Sequence, residues 1–301
     1  MNVESKLAQK LTSGDFIVTA EHAPGPTTTG AATEAALKAL GAKVVVVNMA
    51  DNPRGVALSS LAASVTALKG GIEPVLQMVT RDRNRIALQS DLLGAASLGI
   101  RNVLCLSGYH QTLIGCPESA NVFDIDSTQF IELVTRMAEK GELADGTKID
   151  GRFAMWVGAV ANPFLKPLEL NLLRLGKKIE AGARFIQTHA VFDLAVFSQW
   201  LAAARKEGFT EKAAILAGVF PLDSAAEARH LRETYADFCI PDEVLERLTA
   251  AGDPGAQKKA GLAMCADTMK KLKAMEGLRG IHLMSGGKED VVPGLLAAAG
   301  V

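Results

Sequence analysis

The chain has 301 residues, 49% of them hydrophobic but only 5% aromatic, with a net charge of −1. Interspersed charges of both signs exclude the basic footprint of a nucleic-acid or anionic-membrane partner, and no apolar run approaches the roughly 18 residues of a spanning helix. The N-terminus, MNVESKLAQKL, lacks the apolar stretch of a signal peptide, so the expected location is the cytoplasm.

Eight runs rich in β-branched residues recur along the chain: Phe16–Ala20, Val44–Met49, Pro74–Val79, Val103–Leu106, Phe153–Val157, Phe185–Thr188, Ala214–Val219 and Ile281–Met284. Helical patterns lie between them, among others Ala31–Leu40, Asn84–Leu98, Ser127–Lys140, Leu168–Ala181 and Leu194–Lys206. Gly41, Gly99, Gly182 and Gly208 follow helices just before strands, where a C-terminal cap belongs. This alternation, with strands of nearly continuous hydrophobicity, predicts a (β/α)8 TIM barrel. The runner-up, a doubly wound sheet, wants a glycine-rich phosphate turn after its first strand, and GxGxxG and GxxxxGK[ST] are both absent. Phe238–Lys273 reads as extra helices between strands 7 and 8, broken at Pro241 and at Asp253-Pro254-Gly255. No linker divides the sequence, which predicts a single domain over residues 1–301.

Function in such a barrel collects at the carboxyl ends of the strands. Those ends are polar here although the strands are apolar: Glu21, Asn48 with Asp51-Asn52, Gln77 with Arg81-Asp82, Ser107-Gly108-Tyr109, Asn162, Thr188-His189 and Ser285-Gly286-Gly287-Lys288. Glu21 ends FIVTAE, so desolvation there raises its pKa and makes it a usable acid, unless a basic neighbour pairs with it. His189 ends FIQTH and is open to three readings: proton donor, substrate hydrogen-bond partner or satisfied buried residue. Arg174 and Lys178 share a helix face, either solvated or offered to a diphosphate. The four cysteines are scattered, and the histidines have no spacing that suggests a metal site. After the fourth strand comes a long polar loop, and long loops at that end usually have a job.

Several segments together resemble the methylenetetrahydrofolate reductase family. TAEHAPGP resembles its first-strand motif; VLQMVTRDRNR and LGAASLGIRNVLCLSG resemble its third-to-fourth-strand core. GAVANP and LLRLGKKIEAGARFIQTHAVFD resemble its GAxxNP and AGAxFIQTQ block, and AGVFPL and IHLMSGGKEDVVPGLLAAAGV its last two units. The resemblance implies a flavoprotein that binds FAD, or FMN, and reduces methylenetetrahydrofolate with Glu21 as the acid. Electrons would come from NAD(P)H or an electron-transfer partner protein, and oligomers are compatible with the Ala- and Leu-rich helices. Gln77, Ser107, Gly108, Tyr109, Phe123, Asp126, Asn162, Arg174, Lys177 and Lys178 then match flavin contacts, and Glu21, Asn48 and His189 face the folate. Two residues depart from the family pattern. Tyr109 stands where an Asp is usual, which implies loss of a negative charge beside the flavin and a shift of its potential upward. His189 replaces a Gln with a group that titrates near neutrality. Two other readings stay open: a folate- or flavin-binding subunit of an electron-transfer complex, and a pterin-binding methyltransferase barrel.

Overall fold

A strand buried on both faces carries two side-chain sets, and this sequence sends them to two different cores. The computed structural model describes residues 4–301. Helix α1 (Lys6–Ser13) precedes β1 (Ile17–His22), α2 (Ala31–Leu40), β2 (Val46–Met49), α3 (Ser60–Lys69), β3 (Pro74–Val79), α4 (Arg85–Ser97) and β4 (Asn102–Leu106). There follow α5 (Ser127–Lys140), β5 (Trp156–Ala161), α6 (Leu168–Glu180), β6 (Phe185–Ala190), α7 (Leu194–Lys206), α8 (Phe209–Lys212) and β7 (Ala214–Val219). The chain ends with α9 (Ala225–Thr234), α10 (Asp242–Ala250), α11 (Pro254–Lys273), β8 (Leu278–Met284) and α12 (Val292–Ala299). The strands pair in parallel in chain order, and β8 closes on β1. This is the predicted (β/α)8 barrel, with α9, α10 and α11 between the last two strands.

Outward residues such as Val18, Ala20, Met78 and Ile186 pack under the helices with Leu37, Leu88 and Phe130. Inward residues Ile17, Val46, Val75, Leu104, Phe185 and Leu216 fill the bottom of the bore, closed from below by Leu7 and Leu11 of α1. Glu73 fastens that plug: its carboxylate accepts the backbone N–H of Lys6 at 2.7 Å and of Leu7 at 3.0 Å. An acidic group at a helix N-terminus satisfies donors that have no partner within the helix. Above the apolar layer a polar belt crosses the bore. Asn48 and Gln187, on strands four apart, exchange amide hydrogen bonds of 2.7 and 3.1 Å, and Gln187 also reaches His282 Nδ1 at 3.1 Å. Thr19 Oγ1 lies 2.9 Å from the same nitrogen. Burial pushes the His282 imidazole down to about 3, so the belt is uncharged.

The fifth strand corrects the sequence expectation. It runs Trp156–Ala161 rather than Phe153–Val157, while Phe153 and Met155 lead into it and pack with the outer core. Gly158-Ala159 has little intrinsic strand preference. The strand needs a glycine there because the Phe185 ring of β6 fills the space a side chain would take; a Cβ on Gly158 would lie 2.1 Å from that ring. Among the described residues no helix is long and apolar enough to cross a membrane. We expect Gly158→Ala to destabilise the barrel by about 1–3 kcal/mol through overpacking. Phe185→Leu in the same background should cost less than it does alone, a non-additivity that paired calorimetric melts measure.

Candidate active site

The carboxyl ends of the strands surround a cavity of about 830 Å3, within the usual range of small-molecule and cofactor sites. Glu21, Gln77, Ser107, Gly108, Tyr109, Asn162, Arg174, Lys178 and His189 all line it. The structure therefore gathers nine of the residues singled out from the sequence.

Glu21 sits in the wall with one side-chain partner: Gln77 Nε2 donates to Oε2 at 2.7 Å. Burial raises its pKa, and that penalty outweighs the Gln77 bond and the charges of Arg54, His22 and His189, which all pull downward. Its backbone is held from behind. The Ser285 hydroxyl lies 3.0 Å from the Glu21 carbonyl and 3.1 Å from Glu289 Oε1, its one proton shared between these two acceptors; the Glu289 carboxylate lies 3.0 Å from His22 Nδ1. Burial would raise Glu289 as well, but His22 and Ser285 reverse the balance and hold it below the usual carboxylate range.

A second ionisable cluster forms across three segments. The Tyr109 hydroxyl donates to Asp237 Oδ2 at 2.5 Å, and His189 Nδ1 lies 2.6 Å from the same oxygen. Burial alone would raise Asp237, yet His189 and then the Tyr109 hydroxyl, both set against Oδ2, keep it low. Burial and then the Asp237 charge push the Tyr109 phenol far up, so it stays a donor. Tyr109 brings no carboxylate of its own to the cavity, but Asp237, between α9 and α10, supplies one beside it. Sequence reading missed Asp237 because 128 residues separate it from Tyr109. The nearby aromatics were the available signal: in a chain with two tyrosines, both stack here, Tyr109 on Tyr235 with centroids 5.3 Å apart, and Phe238 packs against Tyr235 at 6.1 Å.

His189 owes its place to an irregularity in β6. The β6–β7 register shifts between Gln187 and Ala190, and Thr188 Oγ1 accepts the Gly218 N–H at 2.9 Å in place of a ladder carbonyl. Only glycine fits opposite, since a Cβ on Gly218 would lie 2.2 Å from the Thr188 carbonyl. Bulges of this kind re-aim side chains next to active sites.

Four of the expected site residues lie outside the lining. Asn48 is buried in the belt beneath the floor, paired with Gln187. Asp126 caps α5 through a reciprocal capping box with Gln129, so its carboxylate serves the helix. Phe123 is exposed at φ 41° on the loop before it, and Lys177 is exposed on α6 one residue from the face that carries Arg174 and Lys178. Lys178 turns inward: Nζ donates to the Val160 carbonyl at 2.6 Å, and burial lowers its pKa. Of the loop charges, Arg81 is buried and makes two 2.7 Å bonds to Asp82 while reaching the carbonyls of Asn52 and Tyr109; Arg83 bonds Asp51 at 2.6 Å. These are ties between rim loops. The donor set left for a ligand is cationic on α6 (Arg174, Lys178) and neutral at the strand ends (Ser107, Asn162). That division suits a group with a phosphate tail and a polar-edged ring, as a flavin nucleotide has.

A family model described as methylenetetrahydrofolate reductase matches residues 6–300. A Caenorhabditis elegans protein named probable methylenetetrahydrofolate reductase (NADPH) is 22% identical over 248 residues, 81% of this chain; the chain spans only 34% of that relative's length. A solved Clostridium thermocellum protein that binds two copies of 5-methyl-5,6,7,8-tetrahydrofolic acid superposes with a TM-score of 0.64, 13% identity and 97% coverage of both chains. At that identity the likeness is one of fold.

The Glu21–Gln77 bond gives a test of the wall itself. Gln77 stabilises the charged form of Glu21, so Gln77→Leu should raise the Glu21 pKa further, visible as a shift to higher pH of the titration of the protonated carboxyl stretch in infrared difference spectra.

Proposed function

We propose a function from one premise: the chain belongs to the methylenetetrahydrofolate reductase family. The proposed reaction is the flavin-dependent reduction of 5,10-methylenetetrahydrofolate to 5-methyltetrahydrofolate, with Glu21 as general acid. The observation that carries it is a carboxyl whose burial favours the protonated form, in the wall of a cavity large enough for a ring system. The methylene carbon of the substrate bridges N5 and N10. Glu21 donates its proton to N10 as the carbon–N10 bond breaks, which leaves a cationic iminium at N5. A reduced flavin, held by Arg174, Lys178, Ser107 and Asn162, would supply the hydride that makes this carbon a methyl group. Gln77 orients the Glu21 carboxyl during the transfer, and the Asn48–Gln187 belt seals the floor against water.

Arg174 and Lys178 would hold the phosphates, and Ser107 and Asn162 the polar edge of the ring; FAD is the proposed flavin, with FMN the smaller option. The Clostridium thermocellum protein supports the reading, since the ligand it binds is the product proposed here. The name of the Caenorhabditis elegans relative favours NADPH as electron donor. A second reading, a folate- and flavin-binding subunit fed by a partner protein, draws on an apolar rim: Val56, 76% exposed, and Leu165 both stand in the cavity lining. Anaerobic bleaching of the bound flavin by NADPH or NADH alone argues against that subunit role.

The purified protein should be yellow, or become so with FAD or FMN; a preparation that stays colourless with both overturns the proposal. Glu21→Gln should keep flavin and lose about 10²–10⁴-fold in turnover. Because the acid form of Glu21 is the working one, kcat/KM should hold at low pH and fall as pH rises through its raised pKa.

A further inference from the structure

Asp237 leaves one of its oxygens without a partner. Oδ1 is sealed from solvent and makes no hydrogen bond, so the carboxylate depends on the two donors that meet at Oδ2. One of them, the Tyr109 hydroxyl, brings no charge. The other, His189 Nδ1, brings one only when the ring is protonated. His189 lines the cavity, and its second nitrogen, Nε2, has no hydrogen-bond partner among the described residues. The His189 side chain is 26% exposed and that of Asp237 11%, so the pair meets solvent only at the cavity. A ring-shaped ligand that fills the cavity removes that remaining contact, and a buried carboxylate without a counter-charge is costly. Glu21 from β1, Asp51 and Arg54 after β2, Arg81 after β3, Cys105 on β4, Arg174 and Lys178 on α6, Tyr235 beside Asp237, and His282 on β8 are the other ionisable groups on this cavity. None of these makes a hydrogen bond or ion pair to Asp237, so His189 is the group placed to cancel its charge.

We propose, resting on the folate reading above, that occupation of the cavity is coupled to protonation of His189 against Asp237, so that substrate and product bind with uptake of a proton. The imidazolium then presents Nε2–H to the ligand as a donor, suited to a carbonyl oxygen such as that of the pterin. Asp237 acts as a positioning residue: it holds Nδ1 as a donor, and thereby fixes Nε2 as the nitrogen that gains the proton.

The test is titration calorimetry with 5-methyltetrahydrofolate in buffers of different ionisation enthalpy. It is done on Glu21→Gln protein, so that Glu21 cannot itself take up the proton. Uptake approaching one proton is expected near neutrality, with binding about tenfold weaker at about pH 8 than at about pH 6. Uptake should vanish in Glu21→Gln/His189→Gln, which also corrects for titration of the ligand, and should fall strongly in Glu21→Gln/Asp237→Asn. Equal uptake with and without His189 overturns the inference while leaving the folate reading intact. No binding to wild-type protein at any pH overturns the folate reading and the inference with it. Nitrogen-15 spectra of the ligand-free protein at high pH check the geometry independently: the neutral His189 ring should carry its proton on Nδ1, and a proton on Nε2 overturns the pairing.

Discussion

A carboxyl group set in a barrel wall with one neutral hydrogen-bond donor is the constraint around which this site is arranged. Removing an ion from water costs several kcal/mol even after relaxation. A single amide donor to a charged oxygen returns about 1.5–3 kcal/mol. The imbalance is relieved by keeping the proton, which is the direction found for Glu21. Asp237, in the same cavity, is pushed the opposite way because a histidine and a phenol share one of its oxygens. The two carboxyls of one cavity are thus driven in opposite directions by their surroundings.

The scaffold holds these groups still by separating its layers. Apolar side chains occupy the bottom of the bore, an uncharged amide and imidazole belt spans the middle, and the Glu21, Asp237 and His189 cluster stands at the top. The rim loops are then fastened to one another by buried charge. Arg81 links the loops after β2, β3 and β4 through Asn52, Asp82 and Tyr109, and Arg83 adds Asp51, which itself accepts the Val79 N–H at 2.9 Å. The Tyr109 side chain reaches Asp237 from a backbone that is already anchored.

Much of this was legible in the sequence because it is local. Strand periodicity, glycines at helix ends and the Asp253-Pro254 start of α11 each act within a few residues, and the barrel follows from them. Glu21, Gln77 and His189 were legible because a polar residue closing an apolar strand has few places to go. What stayed hidden was set by partners distant along the chain. Gly158-Ala159 becomes strand only because Phe185 needs the room, and Asn48 turns from a ligand contact into a floor beam only because Gln187 faces it across the bore. Asp126 looked like a cofactor contact, but its nearest backbone donors claimed it first.

The Tyr109–Asp237 contact also bears on how such a site diverges. Its negative charge resides on a connection between helices, not on a strand terminus. Connections of that kind accept insertions and sequence drift. Selection could therefore retune the electrostatics of this pocket by editing a peripheral loop while every stave stays untouched, and two homologues with unlike rim motifs could present the same field to a ligand.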